Sequence, residues 1–264
     1  MLIQIAYLIG GFILLIKGAD IFVEGASKLA AKLNIPPIVI GLTIIAFGTS
    51  APEAAISITS AMSGNVDLAI GNVIGSNIMN VLLILGISGC IAQLKVNNNT
   101  YRYEIPFVMV ITLILLILGK FGGSVDRLDG VILWALFLLF LFYLYRLVKR
   151  GEDVPIDEVE ELDEKDTLFR LGLMIILGIA AIVVGSNMTI NSATYIAKEI
   201  GISQRLIGLT IIAFGTSLPE LVTSMTAAWK GKSDLAIGNI IGSNIFNILF
   251  VLGTTALISP APII

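Results

Sequence analysis

Eight long apolar runs, each bounded by charge, proline or glycine, leave this chain few ways to fold. They lie near residues 2–25, 36–62, 68–92, 104–120, 128–148, 168–194, 204–229 and 235–258. About 20 apolar residues are needed to cross the roughly 30 Å hydrocarbon core of a bilayer as a helix, and most of these runs reach that length. Inside lipid, only helices and closed barrels satisfy every backbone polar group. Barrel strands alternate apolar and polar residues, which these continuous runs do not. The chain is therefore expected to be an all-α polytopic membrane protein. Its composition agrees: 13% of its 264 residues are charged and 56% are hydrophobic, against about 25% charged in soluble proteins. The first run has no basic stretch before it and contains Lys17, Asp20 and Glu24, so it reads as a retained helix and not as a cleaved signal. Lys17 and Asp20, three residues apart, are expected to form a local ion pair.

Short-loop Lys and Arg residues set orientation, because they accumulate on the cytoplasmic side. With eight spans, Lys120, Arg127, Lys198 and Arg205 fall on the side of the N-terminus, four in all. Eleven fall on the other side: Lys28, Lys32, Lys95, Arg102, Arg146, Lys149, Arg150, Lys165, Arg170, Lys230 and Lys232. The N-terminus is expected outside. The segment from Gly151 to Asp166, with nine acidic residues, is then cytoplasmic. It lacks the fixed ligand spacing and turn glycine of an ordered calcium loop and reads as a solvated hinge.

The chain repeats itself. The segment from Gly41 to Glu53, GLTIIAFGTSAPE, recurs from Gly208 to Glu220 as GLTIIAFGTSLPE. The segment from Leu68 to Asn80, LAIGNVIGSNIMN, recurs from Leu235 to Asn247 as LAIGNIIGSNIFN. Both pairs share an offset of 167 residues (220 − 53 and 247 − 80). That offset equals five spans. Five is odd, so the second copy enters the membrane in the opposite sense. Inverted repeats of this kind are a transporter architecture with ion sites near the midplane. The expected organisation is a first repeat over 1–148, an acidic linker over 149–167 and a second repeat over 168–264.

The repeated residues carry oxygen chemistry. Glu53 and Glu220 fall inside apolar runs. A carboxylate at bilayer depth costs about 2.5–3.5 kcal/mol on insertion scales and usually faces a partner or a pathway. No Lys or Arg lies near either one in its run, so the available counter-charge is a cation. Pro52 and Pro219 cannot donate to the carbonyls of Gly48 and Gly215, and they disturb those of Thr49 and Thr216 beside them. Such carbonyls need a donor, water or a metal ion. Asn72, Ser76 and Asn80 share one helix stripe, as do Asn239, Ser243 and Asn247. Gly71 with Gly75, and Gly238 with Gly242, are small-residue pairs that permit close helix approach. Carboxylates, carbonyls, hydroxyls and amides without sulfur or imidazole form a hard-cation set, suited to calcium or sodium. Two negative charges balance one Ca²⁺, and the same oxygens could hold Na⁺. Polar side chains in membrane helices also bond neighbouring helices; Asn72 and Asn239 are left open between the two roles. Asn77 and Asn244 lie about 100° round the helix from the serines. They are expected to pack, and Asn77→Ala is expected to be mild.

At GTSAPE, GTSLPE, GNVIGSNIMN and GNIIGSNIFN the chain resembles the sodium/calcium exchanger family of cation/calcium antiporters, prokaryotic type. The resemblance implies alternating access, with helix bundles sliding or rocking about a fixed diamond of sites. By position, Glu53 and Glu220 resemble the calcium-chelating carboxylates, helped by the carbonyls of Thr49 and Thr216. Ser50, Ser217, Ser76 and Ser243, with the carbonyls of Ala46 and Ala213, resemble the flanking sodium ligands. Asn80 and Asn247 match the positions lining the central site. The potassium-dependent branch typically has an acid where this chain has Asn247, which leans against potassium co-transport. Family members usually have ten helices; about eight are expected here, without the last two. The resemblance also implies a prokaryotic inner membrane.

Other functions fit less well. A calcium/proton exchanger usually has Asn where this chain has Thr-Ser. A channel needs symmetric subunits or a pore loop. With no histidine and no Ser–base or Asp–Asp pair at readable spacing, hydrolysis is disfavoured and no enzyme is expected. The single cysteine, Cys90, cannot form an intramolecular disulfide. A formal charge of −3 gives no reason to expect nucleic acid. No cofactor is expected, Ca²⁺ and Na⁺ are the expected substrates, the lipid bilayer is the surrounding, and a monomer is expected.

Overall fold

The computed structural model describes residues 1–150, 162–207, 210–211, 213–259 and 262. In chain order the helices are α1 (Leu2–Leu33), α2 (Pro37–Met62), α3 (Val66–Ile91), α4 (Thr100–Lys120), α5 (Arg127–Lys149), α6 (Leu168–Glu199), α7 (Leu218–Trp229) and α8 (Ser233–Ile258). All but α7 are long and apolar enough to cross a membrane, and the protein is an integral membrane protein. Short helical pieces Gln204–Ile207 and Ala213–Thr216 precede α7. Positions 208, 209 and 212 of the expected seventh span lie outside the described residues, as does 151–161 of the acidic linker.

α1 and α6 have 32 residues each, about 48 Å at 1.5 Å per residue, so both outreach the hydrocarbon core. They pack antiparallel at backbone contact, and glycine makes this possible. A Cβ on Gly185 would sit 2.7 Å from the carbonyl oxygen of Gly11 and 2.8 Å from the nitrogen of Leu15. A Cβ on Gly18 would sit 3.0 Å from the carbonyl oxygen of Gly178. Gly11 and Gly178 are one pair of repeat equivalents (178 − 11 = 167), and Gly18 and Gly185 are another (185 − 18 = 167). The crossing therefore maps onto itself when the halves are exchanged, as an inverted repeat requires.

α8 is the central helix, buried along almost its whole length. The start of α2 runs alongside it so closely that a Cβ on Gly238 would lie 2.8 Å from the Cα of Gly41. α5 closes over the far half of α8. Gly130 meets the Gly253 carbonyl, and the rings of Phe47, Trp134, Phe137, Phe246 and Phe250 form one aromatic cluster. Trp134 Nε1 donates to Thr254 Oγ1 at 3.2 Å. The Tyr143 hydroxyl donates to the buried carboxylate of Glu104, tying α5 to α4. Among the described residues the equivalent stretch of α3 has no such cover: a Cβ on Gly86, the counterpart of Gly253, would meet no neighbouring helix within 4 Å, and Leu82 is 74% exposed.

Two charge expectations change. Asp20 pairs with Lys230 at 2.5 Å, across to the end of α7, and not with Lys17 on its own helix. The acidic linker does not stay solvated to its end. Asp166 is buried and accepts from Lys28 Nζ at 3.3 Å and Arg170 Nη1 at 3.0 Å, while Lys32 Nζ donates to its backbone carbonyl at 2.5 Å. A carboxylate without water must be paired, and this one fastens the linker to both α1 and α6. The backbone N–H of Asp163 and the Lys28 ammonium hold its carboxyl below the ordinary value of 3.8.

The glycine crossing cannot yield to a side chain, because what a new Cβ would meet is backbone. Gly185→Leu should lower stability by about 1–3 kcal/mol or more, as overpacking does, read as a fall in the melting midpoint of the detergent-solubilised protein. A depressed folded-state pKa adds stability above the unfolded value that is lost as pH falls through the folded one. Wild type and Asp166→Asn should therefore melt apart at pH 7 and converge as the pH is taken below 3.8.

Candidate ion-binding site

The repeated motifs meet at the centre of the bundle. Glu53 stands on α2 one residue after Pro52, which lies inside the continuous helix. Glu220 stands on the first turn of α7, after a break at Ser217 (φ −90°, ψ 5°). Both carboxylates are fully buried. Ser50 Oγ donates to Glu220 Oε1 at 2.8 Å, and Ser76 Oγ donates to Glu53 Oε1 at 3.4 Å. Ser76 and Ser217 hydroxyls are 3.1 Å apart. Serine oxygens of the first repeat thus touch a carboxylate and a hydroxyl of the second.

Asn80 and Asn247 are also fully buried. Each begins or lies in a π-helical stretch, Asn80–Ile84 and Phe246–Leu252, a local widening frequent at functional sites. Asn80 Nδ2 donates to Asn244 Oδ1 at 3.0 Å. Asn247 Nδ2 donates to Asn77 Oδ1 at 3.1 Å. The two bonds exchange places under the 167-residue offset. Asn77 and Asn244 do pack, as expected of them, but their partners are the central amides of the opposite repeat.

Several oxygens of the repeated motifs are left over. Glu53 Oε2, Glu220 Oε2, Asn80 Oδ1, Asn247 Oδ1 and Ser243 Oγ are buried and have no hydrogen-bond partner among the described residues. An unmet buried acceptor costs about 1–3 kcal/mol, more when charged. Four of these five come in repeat-related pairs. Among the described residues no group of three or more acidic, cysteine or histidine side chains is placed to hold a metal ion; beside the two carboxylates the unpartnered oxygens of the motifs are neutral.

The remaining expected residues sit close by with local bonds. Thr49 Oγ1 lies 3.3 Å from the Ala46 carbonyl and 3.0 Å from Asn239 Oδ1. Thr216 Oγ1 donates to the Ala213 carbonyl at 3.1 Å. Asn72 and Asn239, left open by sequence, bond helices together. Asn72 Nδ2 donates to the Glu53 carbonyl and to Ser57 Oγ at 3.2 and 2.9 Å. Asn239 does the same to Glu220 and Ser224 at 3.3 and 2.8 Å. Ser57 and Ser224 were not singled out from sequence, although they too are 167 residues apart; following the repeat past its near-identical core would have found them. The Gly215 carbonyl, freed by Pro219, accepts from Ser186 Oγ at 3.1 Å.

Known proteins are similar in sequence and fold. The chain is 42% identical over 267 residues to the putative antiporter CaxA of Alkalimonas amylolytica, covering 100% of this chain and 83% of that one. It is 31% identical over 291 residues to the sodium/calcium exchanger MaX1 of Methanosarcina acetivorans, covering 95% and 81%. A solved structure of the sodium-calcium exchanger NCX_Mj, soaked with 2.5 mM Na⁺ and 0.1 mM Ca²⁺, superposes with a TM-score of 0.84 at 32% identity over 100% of this chain and 84% of that one. The profile of the sodium/calcium exchanger protein family matches residues 3–146 and 171–264, and with it the chain belongs to that family.

Proposed function

We propose that this protein exchanges Na⁺ for Ca²⁺ across the membrane by alternating access, with the transported ions bound at Glu53 and Glu220. The observation that carries this reading is the set of four buried oxygens without partners on Glu53, Glu220, Asn80 and Asn247, placed at equivalent positions of two inverted motifs. Ca²⁺ takes 6–8 oxygen ligands at about 2.3–2.6 Å. Two carboxylates neutralise it, and the amide oxygens extend the set without adding charge.

Ser50 and Ser76 bond the carboxylates and Ser217 meets Ser76; with Ser243 and the carbonyls of Ala46 and Ala213 they serve as the flanking Na⁺ ligands. Thr49 and Thr216 add their carbonyls to the Ca²⁺ set. Ser50 and Ser76 donate to carboxylate oxygens; with a sodium ion between hydroxyl and carboxylate, each O–H keeps its proton, turns it away and offers an oxygen lone pair to the ion. Both ions draw on the same carboxylates, so occupation by one lowers the charge available to the other. That competition is what couples opposing fluxes.

Alternating access needs the halves to adopt unlike shapes and exchange them. Here the first motif is an unbroken helix and the second is broken at Ser217. The α1–α6 pair, joined by its glycines and by Asp166, is the natural moving unit. The reading includes no enzymatic step and no cofactor. It places the protein in a prokaryotic inner membrane with the N-terminus outside and the linker cytoplasmic. The Lys28, Lys32 and Arg170 cluster at the linker end supports that orientation.

The test is ⁴⁵Ca²⁺ uptake into proteoliposomes under matched Na⁺, K⁺ and H⁺ gradients. Uptake should follow the outward Na⁺ gradient alone, and Glu53→Gln or Glu220→Gln should reduce it to background. Uptake indifferent to Na⁺, or driven by a pH gradient in sodium-free medium, would overturn the reading.

A further inference from the structure

We infer that Asn77 and Asn244 are positioning residues that turn the amide oxygens of Asn247 and Asn80 toward the transported ion. The inference rests on the ion site proposed above and adds two residues that do not touch the ion.

An asparagine side chain presents an acceptor on one side and a donor on the other. Facing a cation between two carboxylates, only the oxygen is useful; the NH₂ group would repel the ion. Something must therefore fix which way Asn80 and Asn247 point. Asn77 Nδ2 donates to the backbone carbonyl of Asn244 at 3.4 Å. A backbone carbonyl can only accept, so this bond fixes the orientation of the Asn77 amide and leaves its Oδ1 on the opposite side. That oxygen accepts from Asn247 Nδ2 at 3.1 Å, which commits the NH₂ of Asn247 outward. Its Oδ1 is then left buried and without a protein partner. In the other half Asn80 Nδ2 donates to Asn244 Oδ1 at 3.0 Å, which likewise turns the Asn80 NH₂ outward and leaves its Oδ1 buried, although only the Asn77 amide is itself anchored by a backbone carbonyl.

Each bond runs from one repeat to the other, so the four amides also tie α3 to α8 beside the site. The arrangement depends on amides at the central positions. An aspartate at 247 has no N–H for Asn77 Oδ1, and two oxygens would then face each other. It also has no wrong way round, because both its ends are oxygen. This separates orientation from mere packing.

The experiment is a double-mutant cycle on the full chain, reading the half-saturating Ca²⁺ concentration and the maximal rate of Na⁺-driven uptake. Asn77→Leu should raise the half-saturating concentration about tenfold or more, the usual effect of removing a group that orients a ligand, with a smaller change in maximal rate. In the Asn247→Asp background the same substitution should have less than about a twofold effect, since a carboxylate needs no orienting. An equal loss in both backgrounds would mean a structural role only, and no loss with Asn247 intact would remove the role. If Asn77→Leu shows no melting transition, Asn244→Ala with and without Asn80→Asp decides in the same way, because it keeps the backbone carbonyl that Asn77 needs. Equilibrium ⁴⁵Ca²⁺ binding to the solubilised protein repeats the comparison independently of transport. Failure of sodium coupling and failure of the positioning role thus give different results.

Discussion

Two carboxylates buried in the middle of a membrane bundle, without a lysine or arginine bonded to either, are the constraint around which the molecule is organised. Each has one oxygen held by a serine hydroxyl and one without a hydrogen bond among the described residues. Such a pair is unfavourable in an empty, dry bundle and becomes favourable when a cation joins it. Glycine contacts, asparagine bridges and the proline placements serve to bring these two groups together from opposite halves and keep other charge away.

The two halves have nearly the same motif but not the same shape, and their surroundings differ too. Both contain Gly-Thr-Ser followed by Pro-Glu, yet α2 runs through Pro52 while the second copy breaks at Ser217. The Gly215 carbonyl finds a hydroxyl on Ser186 of α6. The residue at the equivalent place on α1 is Ala19, which has none to offer. Likewise Thr49 reaches Asn239 across the bundle, whereas Thr216 bonds within its own turn. Differences of this size between otherwise matched halves are what an alternating-access cycle works with.

Much of the fold was legible beforehand because the bilayer imposes simple rules. Helix positions followed from run lengths for seven of the eight runs, the expected seventh, 204–229, being described only as short pieces and the 12-residue α7; the inversion followed from an odd number of spans between copies, and the α1–α6 crossing through repeat-related glycines bears it out. The carboxylates and serines were found because repetition singled them out. Contacts between distant elements were not legible. Asp20 chose Lys230 over a neighbour on its own helix, and Asp166 was hidden in a run of like residues whose composition reads as solvated. Asn77 was read as a packing residue whose loss would be mild; the bond to Asn247 of the other repeat, on which a positioning role rests, was not visible in local sequence. π-helical turns at Asn80 and Phe246 also shift the helix register that a uniform 100° per residue assumes. Local periodicity carries no information about which oxygen of an amide faces inward.

The four unpartnered oxygens are proposed to hold the transported divalent ion. Diffraction from crystals of this protein soaked with Sr²⁺, a heavy calcium substitute, tests this by locating the ion directly from its anomalous signal. One dominant peak is expected within bonding distance of Glu53 Oε2, Glu220 Oε2 and the Oδ1 atoms of Asn80 and Asn247. A peak elsewhere in the bundle, or none between the two carboxylates at saturating Sr²⁺ without Na⁺, would contradict it.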